Sequence, residues 1–398
     1  MYTIKNSDIA KRYNVSNSTV TRWISLAEEG KNNLQLYKVK GKVRILDNAY
    51  NHAEIARLVQ EGKKYRSNIV CKRVSAQKEL YDLLSEEDII DIIRDIEQRK
   101  TINSKYAYIG EGAKLWDQAF SLDLRQSSSE TVRLIQELTG FLFYTMALKP
   151  EEPINIVDLG SGNGMAIKPI IQKLMEERVI KKYIALDISK QVTQITRQNI
   201  SRSFPSLEIL TYQRDFEKSN FTKIILENKA IDDVPNLIFH LGNILCQYKD
   251  RVRVLKNIQN GMSAEDLLVI DFLLDNEDNY FNLAYSKSDL VNKLHLWIPR
   301  MLGIDVTKCE QKIESEPKFG FNIKYLILDK DYEISFDLFG KRRVFELFSG
   351  EKLILWKRNL LTLETFLDEA DRADLQVVNL SIEKNGNSAL AICRIKTT

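Results

Sequence analysis

Between residues 154 and 187 the apolar positions pass from a continuous run to a three-to-four period and back again. Ile154, Ile156, Val157 and Leu159 predict a buried strand, and Gly160, Gly162 and Gly164 come directly after it. Ile167, Ile170, Ile171 and Leu174 then recur at helical spacing, and residues 183–186 predict a second strand that closes on Asp187. Strand, glycine turn, helix, strand and acid is the layout of a nucleotide-type pocket at the end of a parallel sheet. The glycines allow the backbone to approach a ligand closely, and the acid can accept both hydroxyls of a ribose.

Toward the N-terminus, residues 7–14 predict a short helix and Val15-Ser16 a turn. Asn17 or Ser18 caps a second helix with an apolar face of Val20, Trp23, Ile24 and Ala27, ending at Gly30. Residues 34–46 predict a hairpin with Lys40-Gly41 at its tip, and a further helix covers about 49–62. Helix, turn, helix and basic wing resemble the winged helix-turn-helix domains of MerR and excisionase type. The resemblance implies that Ser18, Thr19, Thr21 and Arg22 face a major groove, with Lys38, Lys40, Lys42 and Arg44 along phosphates. The alternative is a module for dimerisation or peptide docking whose basic wing is a solvated face. Residues 67–104 predict a charged, mostly helical connector, with a stripe at Leu80, Leu83, Leu84, Ile89, Ile92, Ile93 and Ile96.

Charge sharpens this division. Residues 1–75 hold 15 Lys/Arg against 6 Asp/Glu, whereas the whole chain is only +3, so the remainder is acidic. Such asymmetry points to a nucleic-acid or acidic-partner contact at the N-terminal end. Four dispersed cysteines and three histidines argue against a disulfide framework or a metal centre. The longest apolar run, 141–148, is too short to span a bilayer, and the N-terminus has no charged-then-apolar leader, so a cytoplasmic protein with no membrane contact is the expectation.

The run D-L-G-S-G-N-G, with an acid 23 residues after its last glycine, resembles the S-adenosylmethionine site of class I methyltransferases. The dinucleotide spacing G-x-G-x-x-G is absent; a dinucleotide site and a purely structural turn remain the alternatives. A second stretch, residues 105–118, reads KYAYIGEGAKLWDQ. Together with later segments of the chain, it resembles the amino-acid Nα-methyltransferases typified by the histidine methyltransferase of ergothioneine biosynthesis. Lys105, Tyr108, Gly112, Leu115, Asp117 and Gln118 match that family's segment, while Ile109 replaces its aspartate. Asp215-Phe216, the 236–243 strand and loop, Tyr285 in N-L-A-Y, and Ser349-Gly350-Glu351-Lys352 continue the likeness, which spans about 105–398.

The resemblance implies that S-adenosyl-L-methionine is the cofactor and S-adenosyl-L-homocysteine the product. Gly160, Ser161 and Gly162 would lie along the methionine part, Asp187 on the ribose, and Asp215 with Phe216 on the adenine. Tyr108 and Tyr285 become the catalytic candidates, surrounding the acceptor's amino and carboxylate groups with Gly242 and Gln247. Each tyrosine could equally be an ordinary half-buried residue, and Gly242 could serve the turn alone. Gln247 stands in place of a family asparagine. Arg125, or Gln126 if the alignment slips by one, replaces an aromatic platform, and the 353–359 run LILWKRN lacks the acid that grips imidazole in the histidine enzymes. Free histidine is therefore not the expected acceptor; Arg125, Trp356 and Lys357 suggest a larger, aromatic or anionic group. His295 is either a proton acceptor or packing, and Asp271 either a ligand or a capping residue.

The expected architecture is α/β: a winged helix-turn-helix domain at 1–66, a helical connector at 67–104, and a doubly wound class I methyltransferase domain at 105–398. Its substrate cap would come from about 105–150 and 277–350. The expected function is N-methylation of an amino acid or amino-acid-derived small molecule in specialised metabolism, by a monomer or homodimer. Two alternatives stand beside it: a DNA-binding regulator whose methyltransferase-like domain senses a metabolite, and an enzyme that methylates a peptide or nucleic acid held by the winged helix.

Overall fold

The computed structural model describes residues 3–13, 15, 17–39, 42–66, 71–123, 129–149, 152–177, 179–218, 221–232, 234–281 and 288–396. Arg125, Tyr285 and the wing tip Lys40-Gly41 lie outside the described residues.

The chain opens with β1 (Thr3–Ile4), α1 (Asn6–Tyr13), α2 (Asn17–Glu28), the hairpin β2 (Leu36–Val39) and β3 (Lys42–Leu46), and α3 (Ala49–Arg66). Next come β4 (Lys72–Ser75), α4 (Lys78–Leu83), α5 (Glu86–Arg99), α6 (Glu111–Asp123), α7 (Ser129–Glu137) and α8 (Thr139–Thr145). Strands and helices then alternate: β5 (Ile154–Leu159), α9 (Lys168–Glu177), β6 (Ile180–Asp187), α10 (Lys190–Ser203), β7 (Glu208–Gln213), α11 (Thr222–Asp232), β8 (Asn236–His240), α12 (Arg251–Gln259) and β9 (Leu267–Leu273). After α13 (Glu277–Phe281) and α14 (Asp289–Met301) come five strands: β10 (Glu310–Glu316), β11 (Phe321–Ile327), β12 (Tyr332–Leu338), β13 (Lys341–Leu347) and β14 (Lys352–Asn359). The last elements are α15 (Leu363–Arg372), β15 (Leu375–Ile382) and β16 (Ser388–Ile395).

Two compact units share these elements. The first comprises Met1–Asn103, Ile298–Lys312 and Lys324–Leu355. Within it β1, β3 and β2 form a three-stranded sheet beside α1 and α2, and Ile9, Val20, Trp23, Ile24, Ile45 and Ile55 make a small core. Helix α2 also packs against α5, and the Arg22 guanidinium lies over the Phe348 ring at 4.8 Å. Thr19, expected on a groove-facing surface, is buried. Strand β4 lies in the stretch read as helical; it runs parallel to β12, with Lys72 opposite Tyr332 and Ser75 opposite Ser335. A three-stranded sheet of order β10-β11-β14 completes the strands outside the large sheet.

The second unit comprises Ser104–Trp297, Ile313–Ile323 and Trp356–Thr398. Its seven-stranded sheet has the order β15-β16-β9-β8-β5-β6-β7. β5 to β9 are mutually parallel where paired, and β16 is antiparallel to both β9 and β15. Strands β5, β8 and β9 are buried at every position, because helices cover both faces of a parallel sheet. Alternate side chains feed two cores. Val157, Leu159, Ile184, Leu186, Ile238 and Ile270 enter one, and Ile154, Ile156, Tyr183, Ala185, Leu237 and Val269 the other. Burying each such aliphatic side chain contributes about 1.5–3 kcal/mol. The strand order reverses at β5, whose neighbours β6 and β8 lie on opposite sides, and ligand crevices form outside the carboxyl ends of strands at such a point.

Candidate functional site

The turn after β5 is tied down by backbone hydrogen bonds from β6. The N–H groups of Gly160 and Ser161 donate to the Leu186 carbonyl at 2.7 and 3.2 Å. The chain then bends through Gly162 at φ +55°, a conformation that suits glycine, and a Cβ there would run into the Trp116 ring. A Cβ on Gly160 (φ +80°) would likewise meet Ile244. Asp187 ends β6 with one oxygen accepting the Gly162 N–H and the other the Ser189 N–H, both at 3.1 Å. Burial pushes this carboxyl up to about 6 against the pull of those donors. A carboxylate has about four lone-pair sites, so room remains for two hydroxyl donors. Thr196 of α10 donates to the Gly162 carbonyl, and Asn163 donates to Asp117 at 2.7 Å, joining the turn to α6.

Beyond β7, Asp215 accepts from Lys105 Nζ at 2.6 Å and from the Glu217 N–H at 3.0 Å. The adjacent Phe216 is buried, edge-on to Phe221 and to His240. His240 ends β8. Its Nδ1 lies 2.8 Å from the Leu159 carbonyl, which can only accept, so Nδ1 carries the proton and Nε2 is left as an acceptor. Burial lowers the ring's pKa to about 4. The Tyr248 ring stacks on it at 5.7 Å. Among the described residues both His240 Nε2 and the Tyr248 hydroxyl are buried without a hydrogen-bond partner, and burial, then Glu217, Asp187 and Asp215, raise the phenol's pKa. A buried hydroxyl so placed, near three carboxylates, suits a polar ligand with hydroxyl and ring-nitrogen groups, as adenosine has. The residues therefore fit the adenosine part of S-adenosylmethionine.

The loop after β8 is anchored on Asp271 of β9, which accepts the N–H groups of Gly242 at 3.1 Å and Asn243 at 2.7 Å. The two residues take φ values of +90° and +56°. Asp271 thereby clamps this turn, and burial pushes its carboxyl up to about 7. The chain continues through a 3-10 turn, Ile244–Gln247. Burial pushes the Tyr108 phenol up to about 12 against the pull of the neighbouring Gln247 amide, with the nearby Asp187 adding to the rise. Trp116 meets Tyr108 edge-on and stacks on Phe120 at 5.0 Å. Gly112, matched in the sequence motif, lies beneath the Trp297 ring, whose Nε1 donates to the Ile109 carbonyl.

A second group forms where β14 passes. His295 is buried and stacks on the Trp356 ring at 5.9 Å, and the Arg358 guanidinium lies over the same ring at 5.3 Å. Lys357 points instead to Phe321, 3.9 Å from its ring centre.

Of the residues singled out in the sequence, Tyr108, Gly160, Ser161, Gly162, Asp187, Asp215, Phe216, Gly242 and Gln247 gather around the carboxyl ends of β5 to β8. His295 and Trp356 form the second group. Arg125 and Tyr285 lie outside the described residues. Sequence reasoning does not place Trp116 over Gly162, Lys105 on Asp215, the buried Tyr248 hydroxyl, or Arg358. Trp116 and Lys105 stand inside the 105–118 segment, but nothing local marks their partners, and Tyr248 and Arg358 carry no motif at all.

The sheet order, the glycine turn closed by an acid and the adenosine-compatible strand ends define a class I methyltransferase that depends on S-adenosylmethionine. More particularly, the chain belongs to the family described as histidine-specific, SAM-dependent methyltransferases, whose profile matches residues 85–297, more than half of its length. No curated protein matches the sequence. Among solved structures, it is similar to an S-adenosylmethionine-dependent methyltransferase from Clostridium acetobutylicum, at 11% identity over 72% of this chain and 99% of that one, with a TM-score of 0.41. It is also similar to magnesium protoporphyrin IX methyltransferase from Synechocystis, solved with SAH bound, at 10% identity over 77% and 100% of the two chains and a TM-score of 0.38. The glycopeptide N-methyltransferase MtfA complexed with S-adenosyl-L-methionine gives 11% identity over 66% and 94%, with a TM-score of 0.34. Among the described residues no helix is long and apolar enough to cross a membrane, and no cluster of three or more His, Cys, Asp or Glu side chains could hold a metal.

Proposed function

We propose that this methyltransferase transfers a methyl group to the amine nitrogen of an amino acid or amino-acid-derived small molecule other than free histidine. The observation that carries the reading is Tyr108: its buried hydroxyl lies near both Gln247 and Asp187, close enough for each to act on its ionisation. One side chain thus stands between the acid proposed for the ribose and the amide proposed for the acceptor.

In this reading Asp187 accepts the ribose hydroxyls, Asp215 and Phe216 flank the adenine, and Gly160, Ser161 and Gly162 line the methionine part. S-adenosylmethionine supplies a methyl carbon on a positively charged sulfur, and the edge of the Trp116 ring closes the turn at Gly162 beside it. Gly242, Gln247 and Tyr108 hold the acceptor's amino and carboxylate groups so that a neutral nitrogen is presented in line at near-attack distance. Tyr108 stays protonated at neutral pH, since its pKa is about 12, and so positions the acceptor instead of abstracting its proton. The proton shed by the methylated nitrogen passes to water. The 352–359 strand, KLILWKRN, carries no acid with which to grip an imidazole, which is the ground for setting free histidine aside.

Residues 1–66 are read as a winged helix-turn-helix module that docks or regulates, and not as a base-reading domain. With Arg22 over Phe348 and Thr19 buried, two of the four side chains proposed for a major groove are engaged inside their own unit. Turnover with methyl-labelled S-adenosylmethionine on pooled amino acids and amines, read by mass spectrometry, tests the assignment. The expected result is one methylated amine and none from histidine. Methylated histidine, or labelled nucleic acid or protein in place of a small amine, overturns it.

A further inference from the structure

Among the described residues, Arg358 is a cation without a counterion. It lies on β14, its Nε is buried with no acceptor, and its one hydrogen bond runs from Nη2 to the Asn279 carbonyl at 3.3 Å. No described carboxylate pairs with it, and its titratable neighbour is the Cys246 thiol, which burial keeps protonated. Its guanidinium instead lies over the Trp356 ring. The side chain is half-buried, so water reaches part of the guanidinium, but its buried Nε meets no acceptor, and a single peptide carbonyl at the edge of bonding distance leaves most of the fork's donors open to a ligand.

Where the guanidinium sits matters as much as its unmatched charge. Asn359, next along the strand, donates to the Cys246 carbonyl at 3.2 Å, and Cys246 directly precedes Gln247. The strand that bears Arg358 is thus fastened to the 3-10 turn that bears Gln247, and the guanidinium lies near enough to that turn to act on the Cys246 thiol. Arg251, the other arginine near Cys246, is already matched by Glu369 at 2.8 Å, so of the two Arg358 is the one with binding capacity to spare.

We propose that Arg358 is a specificity residue that receives an oxyanion, a carboxylate or phosphate, carried by the methyl acceptor, with the buried Trp356 ring holding the guanidinium in place. The inference deepens the proposed function and rests on it. An arginine fork matches two oxygens of one oxyanion, which a lysine does not. The acceptor class becomes an amine that bears an anionic group besides the carboxylate assigned to Tyr108 and Gln247.

The test uses the full chain saturated with S-adenosylhomocysteine. Sodium glutarate, sodium phosphate and sodium chloride are titrated at matched ionic strength while the melting temperature is followed. Glutarate or phosphate should raise it above the chloride control, and the arm that does so identifies the oxyanion. In R358Q the anion affinity should fall about tenfold or more while S-adenosylhomocysteine affinity is unchanged, and R358K should fall by less. K223Q, which removes a surface charge elsewhere, should behave as wild type. No preference for either oxyanion in wild type, or an undiminished one in R358Q, overturns the proposal; if R358Q does not fold, wild type and R358K still decide it. Failure of S-adenosylhomocysteine to bind wild type would strike the methyltransferase reading of the site instead, so the two failures are told apart.

Discussion

Asp187 Oδ2 accepts the backbone N–H of Gly162 at 3.1 Å, so the acid at the end of one strand fixes the glycine turn at the end of its neighbour. A single carboxylate then shapes the turn and offers its remaining lone pairs to a ligand. Asn at this position keeps one acceptor oxygen and loses the charge. D187N is expected to weaken S-adenosylhomocysteine binding by about 10- to 100-fold, the range for hydrogen bonds to a charged group. Its melting temperature should change little, because relief of a buried charge is offset by an amide NH2 that now faces one of the two N–H donors, Gly162 or Ser189. Calorimetry with a thermal melt checks both, and unchanged affinity would remove Asp187 from the cofactor site.

The same carboxyl sets a pH dependence with two opposite signs. Its folded pKa, about 6, lies above the unfolded value, so between the two the folded chain holds more protons than the unfolded one. Through this group, ligand-free stability is fully present at low pH and is lost as pH rises toward 6. Ribose binding needs the ionised form, so affinity runs the other way. S-adenosylhomocysteine should bind about tenfold more weakly at about pH 5 than at about pH 7.5, and D187N should flatten that slope.

Asp158 gives the clearer stability test. It is buried, accepts the Tyr183 hydroxyl at 2.6 Å, and burial pushes it up to about 7. Asn can accept the same bond without a charge. D158N should therefore melt several degrees above wild type at about pH 8, where the folded chain must keep the aspartate ionised. The advantage should shrink as pH falls toward about 4, where the carboxyl is protonated in the folded chain and increasingly so in the unfolded one. Melting curves across that range decide it; a gap independent of pH would mean that packing, not charge, explains the difference.

Gly162 separates backbone strain from crowding. G162A must place a side chain at positive φ, which costs about 1–2 kcal/mol, and its Cβ meets Trp116. W116A removes the crowding together with the ring's own stacking on Phe120, so it is the reference for the double variant. G162A should lose measurable S-adenosylhomocysteine binding and melt lower, and the G162A/W116A double variant should still melt below W116A. A double variant as stable as W116A would show that the turn itself tolerates alanine.

Whether a feature is written locally in the chain decides whether sequence alone shows it. The β5 turn is legible because three glycines at positive φ and two strands buried along nearly all their length leave marks within about thirty residues of sequence. The parallel partnership of β4 with β12 is not: a four-residue strand, KRVS, has too few positions to show a period, and its partner lies some 260 residues away. The site divides in the same way. Asp187 and Asp215 follow strands and announce themselves. The ion pair of Asp215 with Lys105 spans 110 residues, the cover of Trp116 over Gly162 spans 46, and only the fold could supply either.

Tyr108 and Gln247 carry the proposed function, so their substitution is the most direct test of it. Removing the hydroxyl in Y108F leaves the ring's packing against Trp116 but takes from the acceptor the hydrogen bond proposed for it beside Gln247. The acceptor KM should rise and kcat/KM fall by about 10- to 100-fold, with S-adenosylhomocysteine affinity unchanged. Because the phenol stays protonated to about 12, the wild-type rate should show no rise with pH that Y108F abolishes between about pH 7 and about pH 10. Such a limb would make Tyr108 the base that takes the amine proton, and a loss of cofactor affinity in Y108F would place it on the other side of the site.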